Sequence, residues 1–193
     1  MKTNDITRKV TLTGISDIMF DRYAGDNNTA LRPDQKFYLK GDGMICLPAA
    51  NVLSLLSAQN TPSAPKRFLD SRQYKKVAAA LCSYVMVGPM EIPFLRDGKP
   101  IIFGGFNTEE RDPQTGCYVH RSVARLPKGI PNPKVRPVLP LPWTLQFIVT
   151  LYQNDEVKEE MVQNLLVRSG TAIGLGTFRG VYGKFQVTGW EGA

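Results

Sequence analysis

The chain is short of the residues that most often carry chemistry. It has one histidine, His120, so a site that needs two histidines is excluded within a single chain. Its three cysteines, Cys46, Cys82 and Cys117, are odd in number, far apart and without a C-x-x-C pair. That argues against a disulfide framework or a zinc site and suits a reducing compartment. No metal and no cofactor is expected. No Gly-Lys-Ser or Gly-Lys-Thr occurs, which removes the P-loop reading. No apolar run approaches the length of a membrane span, and the first residues, MKTNDITRKV, hold no apolar signal core. A cytoplasmic location with no membrane partner is expected.

Acid is missing too, over one long interval. Between Pro113 and Asn154 there is no Asp or Glu, whereas Arg121, Arg125, Lys128, Lys134 and Arg136 all fall there. The whole chain of 193 residues carries 24 Lys+Arg against 17 Asp+Glu, a formal charge of +7. A block of one sign repels itself unless a polyanion is present, and nucleic acid is the commonest polyanion. The plain alternative is a solvated basic loop. A second cluster, Lys66, Arg67, Arg72, Lys75 and Lys76, flanks a helical stretch and is weaker evidence, because the outer face of a helix is often merely charged.

Hydrophobic periodicity organises the rest. RKVTLTGISDIMF (8–20) alternates as a first strand, and a polar Asp/Asn/Gly-rich loop follows. KFYLKGDGMICLP reads as a hairpin turning at Gly41-Asp42-Gly43. AANVLSLLSAQ (49–59) and SRQYKKVAAALCSY have helical spacing, and YVMVGPMEIPF reads as a strand broken at Gly88-Pro89. KPIIFGGF and GCYVHRSVARL are short strand-like pieces. They lead into a segment holding Pro127, Pro131, Pro133, Pro137, Pro140 and Pro142, too dense for a central strand because each proline removes a ladder donor. Residues 94–141 are therefore read as an inserted basic arm outside the core, replaceable by a short linker without loss of the fold. WTLQFIVTLYQ (143–153) is a strand. NDEVKEEMVQNLLVRSG is a helix capped by Asn154 or Asp155 and stopped at Gly170, and KFQVTGW is the last strand. Reduced to its core, the order is β-α-β-β-α-β: an α+β, ferredoxin-like single domain spanning residues 1–193, whose four-stranded sheet is a common platform for single-stranded RNA.

The stretch SGTAIGLGTFRGVYGKFQVTGWE (169–191) is the chain's strongest motif. Gly170, Gly174, Gly176, Gly180 and Gly183 fall within fourteen residues, interleaved with Phe178, Arg179, Tyr182 and Lys184. A helix precedes it and a strand follows, the reverse of the dinucleotide-binding order. The reading is a loop whose glycines let backbone N–H groups approach a phosphate chain, with Arg179 and Lys184 adding charge. On that reading, alanine at Gly174 and Gly176 together would leave the fold and weaken binding. The plain alternative is a helix stop and a tight turn.

Two weaker candidates remain. His120, in YVHRS, would serve as general acid or base in metal-independent RNA cleavage, but no second candidate base lies near it and a stacking or phosphate contact is the commoner role. Asp21 and Asp26 would hold a metal or cleave RNA, though Asp/Asn/Gly is also ordinary turn composition.

GTAIGLGTFRGVYGKFQV resembles the glycine-rich loop before the last strand of the RAMP superfamily, the repeat-associated proteins of CRISPR systems. ICLPAANVLSLLSA is similar to that family's strand–Pro–helix segment, commonly written Pro-Gly-Ser-Ser-Leu-Lys-Gly, although it lacks the glycine and serines. The large insertion looks like the thumb of the backbone subunits, which polymerise along RNA, more than like the processing nucleases. The resemblance implies that residues 170–184 and the thumb hold a sugar-phosphate backbone without reading sequence, as part of a filament or a multi-subunit ribonucleoprotein. A stand-alone relative, from a phage or mobile element, would instead mimic a subunit and interfere with a CRISPR complex.

The expected function is thus non-enzymatic, sequence-independent binding of single-stranded nucleic acid, RNA ahead of DNA. Arg179, Lys184 and the arm's cations would meet phosphates, and Phe178 and Tyr182 would stack on bases.

Overall fold

A computed structural model describes residues 4–193 except 27, 60, 126–128 and 130. The first strand, β1 (Ile6–Gly14), buries Val10 and Leu12 on one face and ends where the chain leaves for a second sheet through β2 (Ile18–Met19). A 3-10 turn at Pro33–Lys36 leads into the hairpin β3 (Tyr38–Lys40) and β4 (Met44–Pro48), paired as their spacing around Gly41 and Gly43 predicts. Helix α1 (Ala49–Ser57) follows, then the short α2 (Ala64–Phe68) inside the stretch read as an interruption, then α3 (Tyr74–Tyr84).

The next strand is split as expected, into β5 (Val85–Gly88) and β6 (Glu91–Arg96), both antiparallel to the later strand β10 (Thr144–Leu151). Between them in sequence lie β7 (Lys99–Pro100), β8 (Tyr118–Arg125) and β9 (Pro131–Leu139). Helix α4 (Glu159–Ala172) and β11 (Phe185–Gly192) complete the chain. The main sheet runs β11-β1-β10, with β5 and β6 along the far side of β10 and β4 and β3 beyond β6. Core strands four, one, three and two thus lie side by side and antiparallel, the ferredoxin-like order that β-α-β-β-α-β requires. The helices cover one face through Val52, Leu55, Leu81, Val162 and Leu166, packed on Val10, Leu12, Phe147 and Val149.

Two expectations about elements change. Gly170 does not stop α4, which continues to Ala172. It lies where the helix presses on β11, and a Cβ there would overlap the Phe185 carbonyl oxygen. Nor does Asn154 cap the helix directly: its Oδ1 accepts from the N–H groups of Glu156 (2.9 Å) and Val157 (2.8 Å), a turn that precedes the first helical residue.

The proline-rich segment is also not excluded from a central strand, for β9 is the middle of the sheet β2-β9-β8. The N–H of Phe20 donates to the Pro137 carbonyl (3.0 Å) and Lys36 Nζ to that of Val135 (2.8 Å), so odd-numbered residues of β9 turn their backbone groups away from β8. Pro131, Pro133 and Pro137 share that parity, on the side where β2 pairs only with Val138 and Leu139. Their missing donors therefore remove nothing from the β8–β9 ladder. Nor does the interval 94–141 lie wholly outside the core: Phe94, Ile101, Cys117 and Leu139 belong to the buried cluster. The insertion proper begins beyond Arg96. Cys46 and Cys117 are buried, Cys82 is exposed, and all three are free. No helix among the described residues is long and apolar enough to cross a membrane.

Candidate nucleic-acid interface

The glycine loop, residues 173–184, turns most of its backbone donors inward. Gly174 donates to Ser169 O (2.9 Å), Leu175 to Gly183 O (2.9 Å), Thr177 to Met19 O (3.0 Å) and Gly183 to Asp17 O (2.7 Å). The Gly176 N–H reaches Asn51 Oδ1 at 3.0 Å, and Lys184 N–H reaches Ser16 Oγ at 2.9 Å. The expectation of a backbone cradle for phosphates at Gly174 and Gly176 is revised accordingly. These glycines let the loop seat itself against the β1–β2 connection: a Cβ on Gly176 would lie 2.5 Å from Met19 O, and one on Gly174 2.8 Å from Tyr182 O. Gly180 differs, with φ +92° and nothing within 4 Å of where its side chain would stand.

What the loop presents outward is aromatic. Phe178 has φ +53° and is 51% exposed. A bulky side chain in the left-handed region costs about 1–2 kcal/mol, and such strain gathers at functional positions. Its ring centroid lies 5.9 Å from that of Tyr182, and the His120 ring, on β8 of the arm, lies 5.7 Å from that of Tyr182. Three rings from loop and arm therefore form one run, which the sequence separated by about sixty residues. His120 is a member of that run, with no hydrogen bond of its side chain among the described residues.

Beneath them the arm is fixed by acids that the sequence interval lacks. Tyr118 donates to Asp17 Oδ2 (3.0 Å), and burial together with that carboxylate pushes its phenol above the ordinary tyrosine range, so it stays a donor. Asp21 accepts from Arg136 Nε (2.7 Å) and pairs with Lys36 (3.3 Å). Arg121 pairs with Glu110. The arm's charge is therefore partly balanced, by Asp21 from outside it and by Glu110 from within it, and Arg121 and Arg136 are ion-pair partners. Lys134 and Lys184 have no carboxylate partner among the described residues. Register sets Ser122 opposite Lys134 and His120 opposite Arg136, so Lys134 shares the arm face that carries His120. Arg125 pairs by register with Pro131, but its side chain, like all of Lys128, lies outside the described residues.

Asp26 is a turn residue. Its carboxylate takes the side chain of Thr29 (2.7 Å) and the N–H groups of Thr29 (2.6 Å) and Asn28 (2.7 Å), which hold it below the usual range. Among the described residues no cluster of three His, Cys, Asp or Glu exists to hold a metal. Arg179 turns toward α2, donating from Nε to Gly176 O (3.3 Å) and from Nη1 to Pro62 O (3.1 Å).

The open face of the four core strands is not a stacking platform. The alternation that buries Val10, Leu12, Phe147 and Val149 leaves Lys9, Thr11, Gln146 and Thr150 on the other side, and Thr13 bonds Thr188 across β1 and β11 (2.9 Å). These strands place no aromatic ring on that face. Asn51, by contrast, is a positioning residue that sequence reasoning missed. Its position in the strand–Pro–helix segment was the one available signal.

Strand order and helix placement make this a ferredoxin-like α+β fold. A solved chain shares it, from the cryo-EM structure of the Type III-B Cmr-β complex bound to cognate target RNA, with a TM-score of 0.54 and 10% sequence identity. The match covers 97% of this chain and 60% of that one, so this chain spans about three fifths of its neighbour's length. The likeness is one of fold. No protein-family model and no curated protein matches the sequence.

Proposed function

We propose that the protein binds single-stranded nucleic acid, RNA ahead of DNA, without reading sequence and without cleaving it, as a subunit of a CRISPR-type ribonucleoprotein. The run Phe178–Tyr182–His120 carries this reading, because stacking on rings tolerates every base and needs no donor–acceptor code. Lys134 and Lys184, without carboxylate partners among the described residues, supply phosphate contacts. The fold shared with a chain of an RNA-bound Cmr complex supports the choice of RNA and of an assembly.

Fluorescence anisotropy with labelled oligouridylate and oligodeoxythymidylate tests it. Phe178→Ala with Tyr182→Ala is expected to weaken both, since each stacked base contributes about 1–3 kcal/mol. Lys134→Ala with Lys184→Ala is expected to flatten the slope of log affinity against log salt by about 1.4, at about 0.7 per phosphate contact. Unchanged affinity in the ring double variant would refute the interface. Metal-free RNA cleavage by the wild type that disappears in His120→Ala would turn the reading to a nuclease.

A further inference from the structure

Between α2 and the glycine loop lies a cleft of about 470 Å³, a volume within the range of small-molecule sites. Pro62, Ala172 and Ile173 give it apolar wall, and Lys66, Arg67 and Arg179 give it three positive charges. Among the described residues no carboxylate lines it. The nearest acid in sequence, Asp70, is engaged with the Arg72 N–H (2.7 Å). Arg168 of α4 stands 4.2 Å over the Phe68 ring of α2 but does not line the cleft.

Arg179 is the telling member. Two backbone carbonyls hold its guanidinium in place, and they offset none of its charge. Burial pulls its pKa below the ordinary arginine value, the mark of a cation that has lost water without gaining an anion. A partly desolvated charge of this kind is stabilised by an anionic ligand, and a guanidinium with free N–H groups suits phosphate in particular.

We propose that this cleft holds one nucleotide unit, its phosphate against Arg179, Lys66 and Arg67 and its sugar and base against Pro62, Ala172 and Ile173. This extends the strand-binding reading but does not depend on it, because a free mononucleotide and one unit of a strand present the same chemistry. Arg179 directly follows Phe178. A bound strand would thus have one base at the rings and a neighbouring phosphate in the cleft.

Amide chemical-shift titration separates the two sources. Adenosine 5′-monophosphate and, separately, a twelve-residue oligouridylate are added to the wild type and to K66Q/R67Q, whose exposed side chains make folding safe. Shifts at Ala172, Ile173 and Gly180 with the mononucleotide, lost in the double variant, support a free nucleotide as ligand. Cleft shifts with the strand alone, and a strand affinity at least fivefold weaker in the double variant, support a strand unit. Absence of cleft shifts with both ligands overturns the proposal. If the strand still shifts Phe178 and Tyr182 in that case, only the cleft falls. If it shifts neither region, the strand-binding reading falls as well.

Discussion

The Gly176 N–H donates to Asn51 Oδ1 at 3.0 Å, across 125 positions of sequence. It ties the first helix to the glycine loop, and so joins the two stretches in which the resemblance to RAMP proteins resides. The loop carries the exposed Phe178 and the half-buried Tyr182, so its rigidity sets where their rings project.

Asn51→Ala removes the acceptor and leaves a half-buried N–H unpaired, at a cost of about 1–3 kcal/mol. Urea denaturation is expected to show that loss, while Asn51→Asp, which keeps the acceptor, retains most of the stability. Equal stability of Asn51→Ala and wild type would mean that water or another group replaces the bond freely.

The glycines separate into those that the fold requires and one that it does not. Gly183 has Leu175 O where a Cβ would go, and Gly170 has Phe185 O, so alanine at either forces backbone apart. Overpacking of this kind costs about 1–3 kcal/mol and more where backbone cannot give. It outweighs the gain of about 1 kcal/mol that alanine brings to a helix at Gly170. Gly180 has open space and a left-handed φ, so alanine there meets only a strain of about 1–2 kcal/mol. Thermal melts are expected to rank Gly180→Ala as the mildest of the three. The Gly174→Ala, Gly176→Ala double variant is expected to be destabilised, which makes it unsuitable as a pure binding mutant.

How much of this was legible varies by element, and for physical reasons. Alternation marked β1 and β10 because each buries one face only, and the spacing of Val162, Leu165 and Leu166 marked α4. The end of α4 was not legible, because Gly170 looks the same as a stop and as a point of close approach. The tolerance of β9 for proline depends on parity against a two-residue neighbour, which is a property of pairing and not of composition. The arm's charge looked unbalanced because Asp21 sits 115 positions from Arg136. Of the site, Phe178 and Tyr182 were visible as aromatic residues in a basic loop. The addition of His120 to their run, and of Lys66 and Arg67 to Arg179, came only from the fold.

The arm can be shortened, though not at the boundary that composition suggests. Replacing residues 94–141 would delete Phe94, Ile101, Cys117 and Leu139 from the core, and loss of the cooperative unfolding transition is expected. Replacing residues 122–134 with a short turn spares all four and also Tyr118, which holds Asp17, and Arg136, which holds Asp21. That shorter variant is expected to unfold cooperatively in calorimetry. Failure of the shorter deletion to fold would mean that the outer half of β8 and β9 contributes to the core.

Glu159 offers a pH test with its own reporter. Its carboxylate accepts Arg8 Nε at 2.7 Å and Arg8 Nη2 at 2.9 Å, and it also accepts the Trp190 indole N–H at 2.8 Å. The bonds from Arg8 and then from Trp190 hold its pKa below the ordinary glutamate value. A carboxyl with a depressed folded-state pKa contributes stability that is present above its unfolded value. The contribution is lost as pH falls through the folded value. The pair is a quarter to a third exposed, so the effect is small and screened by salt. Glu159→Gln keeps an acceptor for the indole but carries no charge. Urea midpoints of wild type and Glu159→Gln are therefore expected to differ at pH 7 and low salt, and to converge as pH falls below the usual carboxylate range. Over the same interval the emission of Trp190, read in a Trp143→Phe background, is expected to change in the wild type and to stay level in Glu159→Gln. A constant gap between the two midpoints from neutral to acid pH would show that the charge on Glu159 contributes nothing and that its bonds act through shape alone.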